Sequence, residues 1–232
     1  MTINLNFIGW TGWVSADTDA ELFDLPGIEV SASPDAAVIP AMLRRRLGLL
    51  GRACASQVMK LVAQGDIPIV YCSQHGDIER TVTVLQELAK GEPVSPMHFS
   101  LAVHNAICGV LSIQTGNRGN ITALAACTES IVPGLLEAAG MLRDGESQVI
   151  CVFCDVPLPD IYQSVKAEPK RAYACAVLLS AEQGEHELGL NGAANVGVET
   201  SPLELISYLE AGAGDLTINH NGSTWLLRRR AA

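Results

Sequence analysis

The six residues Val149-Ile-Cys-Val-Phe-Cys154 carry no charged side chain and no strong hydrogen-bonding one. Side chains alternate across a strand, so an apolar run of this kind has no wet face and reads as a strand covered on both sides. The cover is available as amphipathic helices. Leu43, Leu47, Leu50, Cys54, Val58 and Leu61 recur at three or four through Met42 to Ala63, with Gly65 as a stop. Ile67 to Cys72 reads as a buried strand, and Asp77 can cap a second helix through Ile78, Val82, Leu85 and Leu88 that ends near Gly91.

Phe99 to Ile113 is apolar on nearly every side, with small residues at Ala102, Ala106, Cys108 and Gly109, and predicts a central helix closely approached by other backbone and closed by Gly116. Ile121 to Ala126 predicts a strand, and Val132 to Leu142 a helix with Pro133 in its first turn and Gly145 beyond its end. A strand-turn-helix unit is thereby centred on Cys127 and Thr128. Ala172 to Ser180 reads as the neighbour of Val149 to Cys154, with Pro157, Pro159 and Pro169 in the connection. Ser201-Pro-Leu-Glu204 is a capping box that opens a short helix to Gly212, and Asn221-Gly222 is a type I′ hairpin signal between Leu216–Asn219 and Thr224–Leu227. The order predicts one α/β domain over residues 1–232, with a mixed, mostly parallel sheet packed with helices.

The chain has 232 residues, 48% hydrophobic and 17% charged, enough to bury a sizeable core. Its formal net charge of −10 opposes binding to nucleic acid or an anionic membrane. Met1 to Trp10 has no Lys or Arg ahead of an apolar run, and no apolar stretch reaches membrane-spanning length, so a cytoplasmic protein is expected. Seven cysteines are an odd number in apolar surroundings, which predicts reduced thiols. Cys151 and Cys154 are three apart on a strand and point to opposite faces, a poor metal or redox pair. Gly189-Leu-Asn-Gly192-Ala-Ala-Asn-Val-Gly197 follows no clear strand and opens no clear helix, so no nucleotide site is expected there, and no cofactor or metal elsewhere.

Three motifs cluster in one stretch: Asn105-Ala-Ile-Cys-Gly109, Gly116-Asn-Arg-Gly119 and Ala126-Cys-Thr128. Together they resemble the N-terminal half of β-ketoacyl synthases, the thiolase-fold enzymes that condense acyl chains on acyl carrier protein. Pro40-Ala-Met-Leu-Arg-Arg-Arg-Leu47 and Gly134-Leu-Leu-Glu-Ala138 are similar to the short, synthase-like proteins called chain length factors, of the type associated with aryl polyene pathways. The resemblance is strongest over 40–180 and leaves 181–232 as a divergent tail. It implies a thiolase-like half-fold followed by a short helix and a β-hairpin.

An elbow between strand and helix suits a condensing nucleophile, because the helix N-terminus favours a thiolate and offers free N–H groups. Cys127 lies 22 residues after Asn105, one short of the family's spacing, which puts Thr128 in the nucleophile position unless the turn carries a gap. The histidines and lysine that drive condensation come from the family's C-terminal half, and His75, His98, His104, His186 and His220 match none of those motifs. The resemblance therefore implies a non-catalytic subunit that pairs with a full-length synthase, meets acyl carrier protein through the complex and shapes the acyl tunnel in fatty-acid or polyketide synthesis. Ile121, Thr122, Ala123, Leu124, Ala125 and Ala126 would pair across a two-fold axis. His75, Asp77, Ile78 and Thr81 with Met97, His98 and Phe99 would line the tunnel, His98 at its blind end. The alternatives are a stand-alone acyl-transfer enzyme or thioesterase using Cys127 with His104 or His75, and a homodimeric scaffold. His104 also reads as a hydrogen-bonded histidine of a buried helix, and Arg44–Arg46 and Arg228–Arg230 as solvated faces, the former a candidate for an acidic carrier protein.

Overall fold

The computed structural model describes residues 2–16, 25–62, 65–126, 130–162, 164, 171–182, 184–193 and 199–230. In chain order the elements are β1 (Thr2–Ser15), β2 (Ile28–Ser31), α1 (Ala41–Arg44), α2 (Leu49–Leu61), β3 (Ile69–Cys72), α3 (Ile78–Ala89), α4 (Pro96–Leu101), α5 (Ala106–Thr115), β4 (Ile121–Leu124), α6 (Ile131–Arg143), β5 (Gln148–Asp155), β6 (Tyr173–Ser180), β7 (His186–Ala193), α7 (Pro202–Ala211), β8 (Asp215–His220) and β9 (Ser223–Arg229). The strands form one sheet in the order β4-β3-β5-β6-β1-β7-β9-β8, with β2 beside β1. It is mixed, as expected. Parallel pairing joins β4, β3 and β5, and again β1 and β2. The other ladders are antiparallel. β1 is long enough to serve three neighbours, pairing through Asn6–Val14 with β6, through Thr2–Leu5 with β7 and through Gly12–Ser15 with β2.

β5 divides its side chains as a two-residue period demands. Val149, Cys151 and Phe153 enter the core beneath α6 and α7, while Ile150, Val152 and Cys154 enter the core beneath α2 and α5. The two cysteines of the Cys-x-x-Cys run thus lie in opposite layers. Both are buried and in no disulfide among the described residues, as are Cys54, Cys72, Cys108 and Cys175.

Local signals act where they were expected. The Asp77 carboxylate accepts the Arg80 amide, and Ser201 and Glu204 complete the capping box. Asn221 at φ +46° and Gly222 at φ +73° form the two-residue turn between β8 and β9, where a type I′ turn needs both residues left-handed.

Two expected helices are each two. Within Met42–Ala63 the chain leaves α1 at Arg45 and re-enters from Gly48, whose ψ of −170° is extended. A Cβ on Gly48 would stand 3.5 Å from Asp77 Oδ2, so α3 packs against the break. Phe99–Ile113 is divided between α4 and α5, and it is not central. Ile113 is 84% exposed, Phe99 60% and Met97 53%, and nothing lies within 4 Å of a Cβ built on Gly109. Only Ala106, Ile107, Cys108 and Leu111 of α5 are buried. β3 starts at Ile69 rather than Ile67, since Pro68 has no amide for a ladder, and β4 ends at Leu124 rather than Ala126.

α6 approaches the sheet through Gly134, where a Cβ would stand 2.8 Å from both Cys72 Sγ and Phe153 Cε1. Gly134→Ala is expected to destabilise the fold by about 2 kcal/mol through overpacking, against the helix propensity of alanine. The urea midpoint checks this, and a raised midpoint would mean that α6 lifts freely.

Candidate functional site

Polar side chains converge at the carboxyl ends of β3 and β5, inside the layers that the apolar strands create. Asp155 closes β5 and is 4% exposed. Its Oδ1 accepts the Ser73 hydroxyl at 2.7 Å, and the Gln74 amide is shared between Oδ1 at 2.9 Å and Oδ2 at 3.1 Å. Ser73 Oγ accepts the Gly76 amide at 2.9 Å, and the Ser73 amide donates to the Leu124 carbonyl at 3.1 Å. His104 sits in the link between α4 and α5, not on a helix. Its Nε2–H donates to the Ser73 carbonyl at 2.8 Å, and its ring meets Tyr71 edge-on with centroids 5.4 Å apart. Gly76 needs to be glycine on two counts: φ is +61°, and a Cβ would stand 3.2 Å from His104 Cδ2.

Burial pushes the Asp155 carboxyl up to about 6, and hydrogen bonds from Ser73, Gln74, His75 and Tyr173 hold it from rising further. Burial lowers His75, with the charge of His104 adding to the effect. His75 Nε2, Gln74 Oε1 and Tyr71 OH are buried with no hydrogen-bond partner among the described residues. The cluster is thus a frame for the β3–α3 turn. His104 spends its Nε2 on a carbonyl, so that nitrogen is no base, and the Asp155 oxygens face donors. Among the described residues no group of three or more His, Cys, Asp or Glu side chains is placed to hold a metal ion.

The expected tunnel residues are brought together. His75 and Asp77 lie in the β3–α3 turn, Ile78 and Thr81 open α3, and Met97, His98 and Phe99 lie on α4, which packs beside α3. Thr81 Oγ1 donates to the Ala102 carbonyl at 3.3 Å. Asp77 is occupied locally: besides its cap it pairs with Arg80 Nε at 3.1 Å, and Arg80 also reaches the Arg46 carbonyl at 3.1 Å. His98 is half-buried, with Nδ1 4.0 Å from Glu87 Oε1. Cys127 and Thr128 lie outside the described residues.

Ile121, Thr122, Ala123 and Leu124 form β4, an edge strand whose four side chains are half-buried, with Ala125 and Ala126 beyond its end. The Ile69 and Ser73 amides donate to the Asn120 and Leu124 carbonyls. Even-numbered residues of β4 therefore turn their backbone groups to β3, and Ile121 and Ala123 turn theirs outward. The Gly116-Asn-Arg-Gly119 turn anchors the strand's start. Asn117 Nδ2 donates to the Ile67 carbonyl at 2.8 Å, and a Cβ on Gly119 would stand 2.6 Å from the Ile67 carbonyl carbon. At the sheet's other end β8 is covered by its own chain, for the Thr200 amide donates to the Asn219 carbonyl at 3.3 Å and the Asn219 amide to Thr200 Oγ1 at 2.9 Å.

Arg228, Arg229 and Arg230 are paired with Asp215, Glu185 and Glu187. Arg44 donates to the Ala36 carbonyl at 3.2 Å. Gly189 to Ala193 lie within β7, which accounts for the loose glycines there. Sequence reasoning missed Asp155 and Ser73. The signal was an acidic residue and a serine, each closing an apolar strand at its carboxyl end, where α/β sheets place their sites.

The family model for the β-ketoacyl synthase N-terminal domain matches residues 10–226. No curated protein matches the sequence. Among solved structures, the ketosynthase ApeO in complex with its chain length factor ApeC from Xenorhabdus doucetiae is similar with a TM-score of 0.80 and 24% identity, over 98% of this chain and 100% of that one. The ishigamide ketosynthase/chain length factor is similar with a TM-score of 0.71 and 11% identity, again over 98% and 100%. At these identities the likeness is one of fold. Among the described residues no helix is long and apolar enough to cross a membrane.

Proposed function

Because the chain belongs to the β-ketoacyl synthase N-terminal domain family, we propose that it is a chain length factor, a non-catalytic subunit that pairs with a full-length β-ketoacyl synthase and shapes the acyl tunnel of the pair. The observation that carries this reading is the edge strand β4, which among the described residues pairs with β3 alone, together with Met97, Phe99 and Ile113 of α4 and α5, which the described residues leave exposed. Strand edges and exposed large apolar side chains are features of association surfaces. The similar solved structures named as ketosynthases with a chain length factor match nearly the whole of this chain, which supports the same arrangement. Acyl carrier protein meets the subunit through the complex, in fatty-acid or polyketide synthesis of the aryl polyene kind. Six buried cysteines, in no disulfide among the described residues, fit a reducing cytoplasm.

In this pair His75, Asp77, Ile78, Thr81, Met97, His98 and Phe99 form the tunnel wall contributed by the chain, and Cys127 and Thr128 carry no acyl group. The chain alone is expected to release no CO₂ from malonyl-carrier protein and to condense nothing. With the synthase, His98→Ala and Ile78→Ala are expected to lengthen the products and Thr81→Phe to shorten them. Each further buried CH₂ gains about 0.8 kcal/mol, enough to move a distribution by one or two extension cycles. Mass spectrometry of carrier-bound products checks this. One length across all three variants with the complex intact would overturn the wall assignment, and condensation by the chain alone would return Cys127 to the role of nucleophile.

A further inference from the structure

The residues assigned to the tunnel wall lie on two separate segments, the β3–α3 turn with the start of α3, and α4. Two hydrogen bonds join these segments. His104 Nε2–H reaches across to the Ser73 carbonyl at 2.8 Å, and the Thr81 hydroxyl, shared with the Asp77 carbonyl at 3.2 Å, reaches back to the Ala102 carbonyl at 3.3 Å. Behind the turn, Asp155 holds the Ser73 hydroxyl and the Gln74 amide from β5, and Ser73 Oγ holds the Gly76 amide. Ser73 to Gly76 is therefore gripped from β5 on one side and from the α4–α5 link on the other.

His75 projects from the middle of that grip, and its Nε2 is buried with no hydrogen-bond partner among the described residues. Its direction is inherited from the backbone that carries it. The closeness of His104 to Gly76, where a Cβ would already stand at 3.2 Å, leaves the turn little room to shift toward the link. A buried amide or carbonyl that loses its partner must find another, and a four-residue turn can do so by rotating.

We propose that His104 is a positioning residue that sets the register between the two wall segments, holding the turn that bears His75 against the link that follows α4, and so fixes the depth of the acyl tunnel. The proposal rests on the chain length factor reading. His104 acts through Ser73 and not by touching the acyl chain. Its Nε2 must carry a proton, since the carbonyl only accepts, and the contact of its ring with Tyr71 sets the imidazole plane.

Two substitutions separate the hydrogen bond from the packing. His104→Phe keeps a ring against Tyr71 and removes the donor, whereas His104→Gln keeps an N–H at similar reach. In the chain alone, His104→Phe is expected to speed amide exchange at Gln74 and Gly76 about tenfold, and His104→Gln to leave it near the wild-type rate. In the reconstituted pair with the synthase, His104→Phe is expected to cut the fraction of product at the native length at least about threefold, with His104→Gln close to wild type and His104→Phe adding nothing further to His75→Ala. Exchange unchanged in His104→Phe would overturn the clamp. Equal effects of the two substitutions on product length, or a full additional shift on top of His75→Ala, would overturn the positioning role. Faster exchange with one product length in every variant, His75→Ala included, would overturn the tunnel assignment itself and the role with it.

Discussion

Ala123→Pro is expected to leave the chain folded and to abolish its co-purification with a synthase partner. The outward backbone of β4 makes this a clean test. Ala123 directs its N–H away from β3, so proline there removes no bond of the internal ladder, and edge strands tolerate proline on their free side. The ring takes away an amide that a partner strand would use and fills the space it would occupy. Folding stability should stay within about 1 kcal/mol of wild type, while affinity for the synthase falls by about a hundredfold or more, or about 2.8 kcal/mol. Ala123→Lys and Ala125→Lys should act in the same direction by placing an ammonium in a desolvated contact. Size-exclusion chromatography of co-expressed pairs reads the result, and a complex that survives all three changes would move the interface away from β4.

Asp155→Asn is expected to make stability lose a pH dependence that the wild type has. The Asp155 carboxyl titrates near 6 in the folded chain against 3.8 for a free aspartate, chiefly because burial disfavours its charge. The folded state therefore holds the proton more tightly, and wild type gains stability as pH falls through 6 toward 3.8. Above pH 6 it carries the whole cost of the buried charge. His75 runs the opposite way: its lowered value means stability lost as pH falls below 6.5. Both proteins share that histidine, so the difference between them isolates Asp155. Between pH 7.5 and 4.5 wild type should gain about 2 kcal/mol relative to Asp155→Asn, read from urea denaturation at the two values. A difference independent of pH would mean that the carboxyl stays charged, or is already protonated, throughout.

The sequence revealed what a two-residue or a capping period encodes. β5 with its two cysteines in opposite layers, the Asp77 cap, the Ser201 box and the Asn221-Gly222 hairpin all depend on side chains within a few residues of one another. The breaks at Arg45–Gly48 and Ala102–Asn105 were hidden because the apolar spacing runs on across them, and the contacts made there, Gly48 against Asp77 and His104 with Ser73, come from distant parts of the chain. The same limit applies to Asp155. Its partners Ser73 and Gln74 stand more than eighty residues away, so only the parallel pairing of β3 with β5 could bring them together. Phe99 and Ile113 fall in the stretch expected to form a central helix for a related reason: hydrophobicity reports what must be covered, but not whether the cover belongs to the same chain.

The unequal ends of the sheet have a consequence for stoichiometry. Among the described residues β8 is bonded at Asn219 by Thr200, while β4 pairs with β3 alone. A sheet open at both edges can add copies without limit and grow into a filament, as head-to-tail contacts do when no rotation closes them. Among the described residues the chain itself engages the outer side of β8 at Asn219, so a pairing made at β4 is not repeated in kind at the opposite end. Open-ended growth by strand addition between the two ends of the sheet is thus disfavoured, and one threonine's hydrogen bonds contribute to that at the end opposite β4.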